Sequence, residues 1–153
     1  MKKIFFVFYI CFATVILQAQ YARINAVLDR LEERHGVNQN LSAEKLDGRK
    51  FVLIKDFEDH TERSFIVING KNATYIEIFD DKKTGQSTSN VFTGDIVRSQ
   101  HNIVSLRVDE LEGEKIAVPI AKTLLLTKQK KTLYLIDVNT KERWIDEQMF
   151  SKK

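Results

Sequence analysis

Cysteine, proline and tryptophan are each represented once in 153 residues. The lone cysteine, Cys11, lies in an N-terminal apolar stretch, so no disulfide can staple the rest of the chain, and packing must stabilise it instead. One proline, Pro119, leaves no room for a Pro-rich linker. The six glycines form neither a Gly-rich phosphate loop nor a dinucleotide fingerprint, and no nucleophile elbow is present. The three histidines, His35, His60 and His101, fit no HExxH or other metal spacing, which argues against a zinc enzyme. Charge of one sign is also lacking. There are 24 basic and 21 acidic residues, and Lys2 and Lys3 belong to the N-terminal stretch, leaving 22 against 21. A balance so close to neutral gives no electrostatic footprint for nucleic acid.

What the N-terminus does have is a three-part pattern. Lys2 and Lys3 form a basic head, Ile4 to Leu17 an uncharged apolar run, and Leu17-Gln18-Ala19 offers a small residue at a cleavage point. The run is shorter than the roughly 17–25 residues of a membrane span but suits a signal-peptide core. The sequence therefore predicts a signal peptide over 1–20, cut near Ala19 or Gln20, and export to the periplasm or the exterior. No membrane span is expected in the mature chain. Cys11 is not expected to carry a lipid, because apolar residues continue after it to Leu17.

The remaining 133 of 153 residues suffice for one domain with its own core. Residues 21–48 read as a helix and a connection. Ile24, Val27, Leu28 and Leu31 share one helical face over 22–35, Gly36 is a stop, and Ser42–Leu46 offers a short helical turn. Residues 49–150 read as an antiparallel β domain. Strands are expected at Phe51–Phe57, Ser64–Ile68, Thr74–Phe79, Ser89–Arg98, Ile103–Val108, Thr123–Thr127, Thr132–Val138 and Arg143–Asp146. Turns are expected at Asp59–Glu62, Asn69-Gly70, Asp80–Gly85, Glu112–Glu114, Lys128–Lys131 and Asn139–Glu142. Gly94 suggests a bulge, and Pro119 makes Ile116–Ile120 an edge or irregular segment.

Sequential hairpins imply a meander, and closure removes its edges. The expected fold is mainly β, a small antiparallel meander barrel preceded by one N-terminal helix. The alternative is α+β, a helix packed on a curved antiparallel sheet, cystatin-like in layout. The barrel resembles lipocalins in architecture only. Leu46-Asp47-Gly48 is similar to the Gly-x-Trp opening of that family, but no Trp follows Gly48 and Phe51 stands at another offset. Arg143-Trp144 is similar to the Arg that packs at a lipocalin barrel's base. Architecture carries no function with it.

Two clusters invite chemistry. Asp56, Glu58, Asp59, His60 and Glu62 crowd one hairpin. They fit no calcium loop and lack its glycine, so they read as a solvated turn rather than a metal site. Ser42–Lys45 matches SxxK and Lys83-Thr84-Gly85 matches KTG, as in penicillin-binding enzymes. Those enzymes need a larger two-part domain with KTG on a core strand, whereas here it falls in a turn. Asn40 and Asn72 open N-glycosylation sequons. The expected function is an exported non-enzymatic binding module, holding an apolar small molecule or lipid, or an envelope protein, with no cofactor. Its expected lining is Phe65, Tyr75, Phe79, Phe92, Leu106 and Tyr134. One alternative is an interaction or inhibitor protein working through Asp56–Glu62 and Asp80–Gly85. Another is a small hydrolase with paired carboxylates, although no pair stands out.

Overall fold

A computed structural model describes residues 40–99 and 102–149. The expected leader, the helix over 22–35, His35 and His101 lie outside the described residues. Eight strands follow one another: β1 (Lys50–Asp56), β2 (His60–Asn69), β3 (Asn72–Asp81), β4 (Ser87–Arg98), β5 (Ile103–Leu111), β6 (Glu114–Gln129), β7 (Thr132–Asp137) and β8 (Arg143–Asp146). Each pairs antiparallel with the next, and β8 returns to β1 through Phe51 opposite Asp146 and Val52 opposite Ile145. This is a closed meander barrel, so the open-sheet alternative does not describe these residues. Closure matters physically because it leaves no strand with a free row of backbone donors and acceptors.

The local departures from expectation have simple causes. The first hairpin turns at Phe57–Asp59 rather than at Asp59–Glu62. Thr61 and Glu62 are drawn into the ladder opposite Asp56 and Lys55, and the Phe57 N–H donates to the His60 carbonyl at 2.9 Å. The second hairpin extends the ladder to Asn69 opposite Asn72. Its two-residue loop is then Gly70-Lys71, with Gly70 at φ +63°, the type II′ arrangement that needs glycine first. Ser42–Leu46 makes no helix. Two separate turns, at Ser42-Ala43 and at Asp47-Gly48 beyond it, are closed by Glu44 N–H to Leu41 O and Arg49 N–H to Leu46 O. Ile116–Ile120 is not a separate strand but part of the long β6. Its ladder to β5 breaks between Lys115 and Ile120, so Pro119 sits where no N–H is required.

Eight strands give an interior just wide enough for side chains to fill. Phe51, Ile66, Ile68, Val104, Leu106, Val108, Leu124, Leu126, Leu135 and Trp144 fill the core and are almost wholly buried. One end of the barrel is closed by residues 41–49. Leu41 enters the core and Leu46 packs against it. The segment is tied to strands around the ring. Gly48 N–H donates to Ile68 O on β2 at 2.8 Å. The Arg98 guanidinium on β4 donates to Glu44 O at 2.7 Å and Leu41 O at 2.5 Å. Lys128 on β6 pairs with Glu44, and Arg49 pairs with Asp146 on β8. Lys128 chiefly holds the Glu44 carboxyl below the usual carboxylate range.

Candidate functional site

The other end of the barrel is built differently. Side chains alternate across a strand, so every second residue faces inward. On β1 the inward row runs Phe51, Leu53, Lys55. On β2, from the closed end, it runs Ile68, Ile66, Ser64, Glu62; on β3, Ala73, Tyr75, Glu77, Phe79. On β4 it runs Ile96, Gly94, Phe92, Asn90, Thr88, and on β6, Leu126, Leu124, Lys122. Towards the mouth, charged and polar residues enter the rows of β1 to β4 and, at Lys122, the row of β6. Phe79 ends the β3 row, Ile120 follows Lys122 against the core, and the β5 row of Val104, Leu106 and Val108 stays apolar.

Within this mouth Glu62, Arg63, Ser64, Glu77, Ile78, Phe79, Thr88 and Asn90, all on β2, β3 and β4, line a cavity of about 220 Å³. Beneath it Tyr75 stacks on Phe92 at 5.9 Å between ring centroids. The Tyr75 hydroxyl donates to Glu77 Oε1 at 2.7 Å. Burial, and then the bond to Glu77, push the Tyr75 phenol above its ordinary range, so it stays protonated as a fixed donor. Lys55 pairs with Glu142 and, at 3.5 Å, with Glu62. Its hydrogen bond to Glu142 is the main reason its ammonium titrates above the usual lysine value. The same bond is the main cause holding Glu142 below the usual carboxylate range. Lys122 reaches over two rings, 5.2 Å from the centroid of Tyr75 and 5.4 Å from that of Trp144.

An aromatic rim stands beside the mouth. The His60 ring lies between Phe57 and Phe79, at 4.5 and 4.6 Å, nearly parallel to both. Its Nδ1 meets Asp59 Oδ1 at 2.6 Å. Both phenylalanines remain more than 40% exposed, Phe57 at 43% and Phe79 at 42%. The stack joins the two acidic hairpins. Lys82 reinforces the junction, since its Nζ reaches Asp56 at 2.7 Å and its N–H donates to Asp59 O at 3.0 Å. Lys83-Thr84-Gly85 occupies the neighbouring turn, where the Asp81 carboxylate accepts from the N–H groups of Lys83 and Thr84.

The six residues expected to line a pocket are divided by the structure. Tyr75 and Phe92 form the stacked pair under the mouth, Phe79 stands at its rim, and Leu106 is buried in the core. Phe65 and Tyr134 lie on outward rows. Phe65 alternates with inward Ile66 and carries the Lys50 ammonium 4.7 Å from its centroid. Tyr134 alternates with Leu133 and Leu135 and stands opposite Thr127 and Ile145. Residue type alone did not single out Lys55, Ser64, Glu77, Asn90 and Lys122, and it placed Glu62 in an acidic hairpin cluster rather than in the barrel mouth. The signal that finds them is parity, since each continues an inward apolar row by steps of two. Among the described residues no helix is long and apolar enough to cross a membrane. In comparisons with known proteins, no family model, no curated protein and no solved structure matches this chain.

Proposed function

We propose that this chain is an exported, non-enzymatic binding module that takes a small polar molecule into the open mouth of its barrel. The observation that carries the reading is the change in the inward rows. Their lower parts are filled with buried apolar side chains, whereas the upper parts of β2, β3 and β4 present donors and acceptors around a cavity. At about 220 Å³ the cavity is below the roughly 300–1,000 Å³ typical of sites for drug-sized ligands. A monosaccharide or amino acid suits it better than a lipid chain, which would have to displace packed core residues. Lys55 already pairs with Glu62 and the Tyr75 hydroxyl with Glu77, so these two carboxylates lose little freedom on binding.

Calorimetric titration tests this. Binding is expected from a panel of monosaccharides and amino acids and not from laurate. Asn90→Leu, which fills the cavity with an apolar side chain, is expected to weaken that binding at least tenfold while leaving the circular dichroism spectrum unchanged. Tight binding of laurate with no response to polar solutes would overturn the reading. A second reading, a protein-interaction module, is favoured by one feature. Phe57 and Phe79 expose aromatic surface on the two joined hairpins, beside the mouth. A protein retained by wild type and lost from Phe57→Ser would select it.

A further inference from the structure

We propose that the ligand of the mouth is a small organic cation, whose ammonium group docks on the Glu77 carboxylate and rests on the Phe79 ring beside Glu62. The proposal rests on the proposed mouth site and specifies the chemistry of its ligand. Register fixes the layout of the cavity wall. Glu62 stands opposite Phe79, and Phe79 opposite Thr88. One step deeper, Ser64 stands opposite Glu77, and Glu77 opposite Asn90. All six line the cavity. Phe79 is thus the cross-strand neighbour of Glu62 and lies two residues from Glu77 on the same face of β3. The His60 ring covers one face of Phe79, yet Phe79 stays half-exposed, so ring surface remains for a ligand. An aromatic ring bordered by two carboxylates attracts a cation twice over, through its negative face and through the carboxylate oxygens.

The positive charges of the neighbourhood are already committed. Arg63, the basic residue of the lining, holds Asp80 through two hydrogen bonds at 2.8 and 3.0 Å. Lys55 is shared, hydrogen-bonded to Glu142 and 3.5 Å from Glu62, which also has His60 Nε2 at 3.7 Å. Lys122 enters from β6 and lies over the Tyr75 and Trp144 rings, away from the lining. Glu77 differs from Glu62. Among the described residues it has no ion-pair partner, and its Oε1 accepts from the Tyr75 hydroxyl, a neutral donor. Glu77 is only partly exposed, so water screens its charge incompletely and a cation gains more there than on an open surface. A metal ion suits the wall less well than an ammonium group. Calcium takes six to eight oxygen ligands, and among the described residues no group of three or more His, Cys, Asp or Glu could hold a metal. An ammonium group needs fewer acceptors and also uses the ring.

Two probes of one shape test the charge. Cyclohexylammonium and cyclohexanol differ only in the group that meets Glu77, and the Asn90 side-chain amide reports on the cavity wall in ¹H–¹⁵N correlation spectra. Cyclohexylammonium is expected to shift the Asn90 signals and to bind about tenfold or more tightly than cyclohexanol. Glu77→Gln keeps an acceptor for the Tyr75 hydroxyl and removes the charge, so it is expected to cut that preference to within about threefold. The comparison of the two probes in the wild-type protein needs no substitution, so it decides even if Glu77→Gln does not fold. Calcium chloride is expected to leave Asn90 in place. The proposal is overturned if cyclohexanol binds as tightly as cyclohexylammonium, if the preference is undiminished in Glu77→Gln, or if calcium moves Asn90 and cyclohexylammonium does not. If monosaccharides still move Asn90 in that event, the mouth site survives without the cation anchor. If no solute moves Asn90, both fall.

Discussion

Gly94→Ala is expected to destabilise the barrel by about 3 kcal/mol or more, at the upper end of the cost of overpacking. A Cβ built on Gly94 falls 2.2 Å from Arg107 O and 2.5 Å from Val108 Cα. Both atoms are backbone, so no side chain can swing aside to relieve the contact. Two irregularities meet at this point. The β4–β5 register breaks between Thr93 and Gly94, and the β5–β6 register breaks between Val108 and Glu110. The bulge brings β4 unusually close to β5, and only a residue without Cβ permits it. A typical domain has about 5–15 kcal/mol in total, so this one methyl group removes a large fraction. Gly85→Ala is the control. Gly85 has φ +69° but open space around it, so only a backbone conformational cost of roughly 1–2 kcal/mol applies. Urea unfolding of both variants separates close approach from conformation. A Gly94→Ala protein no less stable than Gly85→Ala would contradict the packing account.

Trp144→Ala is expected to cost about 3–5 kcal/mol, the range for deleting a large buried aromatic. Trp144 has no exposed surface and sits on β8, the four-residue strand that closes the barrel against β1. Its ring packs in the core opposite Leu135 and beneath Lys122. Removing it empties the interior beside the closing seam, which among the described residues is formed by Phe51–Asp146 and Val52–Ile145. Trp144→Phe separates packing from the indole N–H. It shrinks the ring but also removes a buried donor whose unsatisfied state costs roughly 1–3 kcal/mol. The two effects oppose each other, so Trp144→Phe is expected to cost less than about 1.5 kcal/mol in the unliganded protein. The check is chemical denaturation of both variants. Trp144→Phe as damaging as Trp144→Ala would show that the N–H has a partner that matters.

The barrel was readable because its signals are local. β-branched and aromatic runs broken by Asn, Asp and Gly turns mark all eight strands, and the Gly94 bulge and the Pro119 break were visible as single residues out of place. Turn positions slipped by a residue or two where a polar residue such as Thr61 or Asn69 could serve either a turn or a ladder. Closure through β8 was an inference from edge protection, since nothing in Arg143–Asp146 names its partner. The site was harder to see. Phe65 and Ile66, or Tyr134 and Leu135, are adjacent apolar residues on opposite faces, so composition could not say which entered the barrel. Glu62 read as part of a solvated turn, Glu77 as one more residue of an expected strand, and Lys122 fell between expected segments, because inward polar groups break the usual apolar-in, polar-out alternation. Only the register, with Phe51 opposite Ile66 and Ile66 opposite Tyr75, fixes the inward row and carries it up to the polar mouth.

Native mass spectrometry of the protein recovered from its own source tests the central claim most directly. The account predicts a small polar solute bound one to one, released on denaturation and reduced in the Asn90→Leu protein. A retained fatty acid or lipid, or a tightly bound protein with the mouth left free, would contradict it.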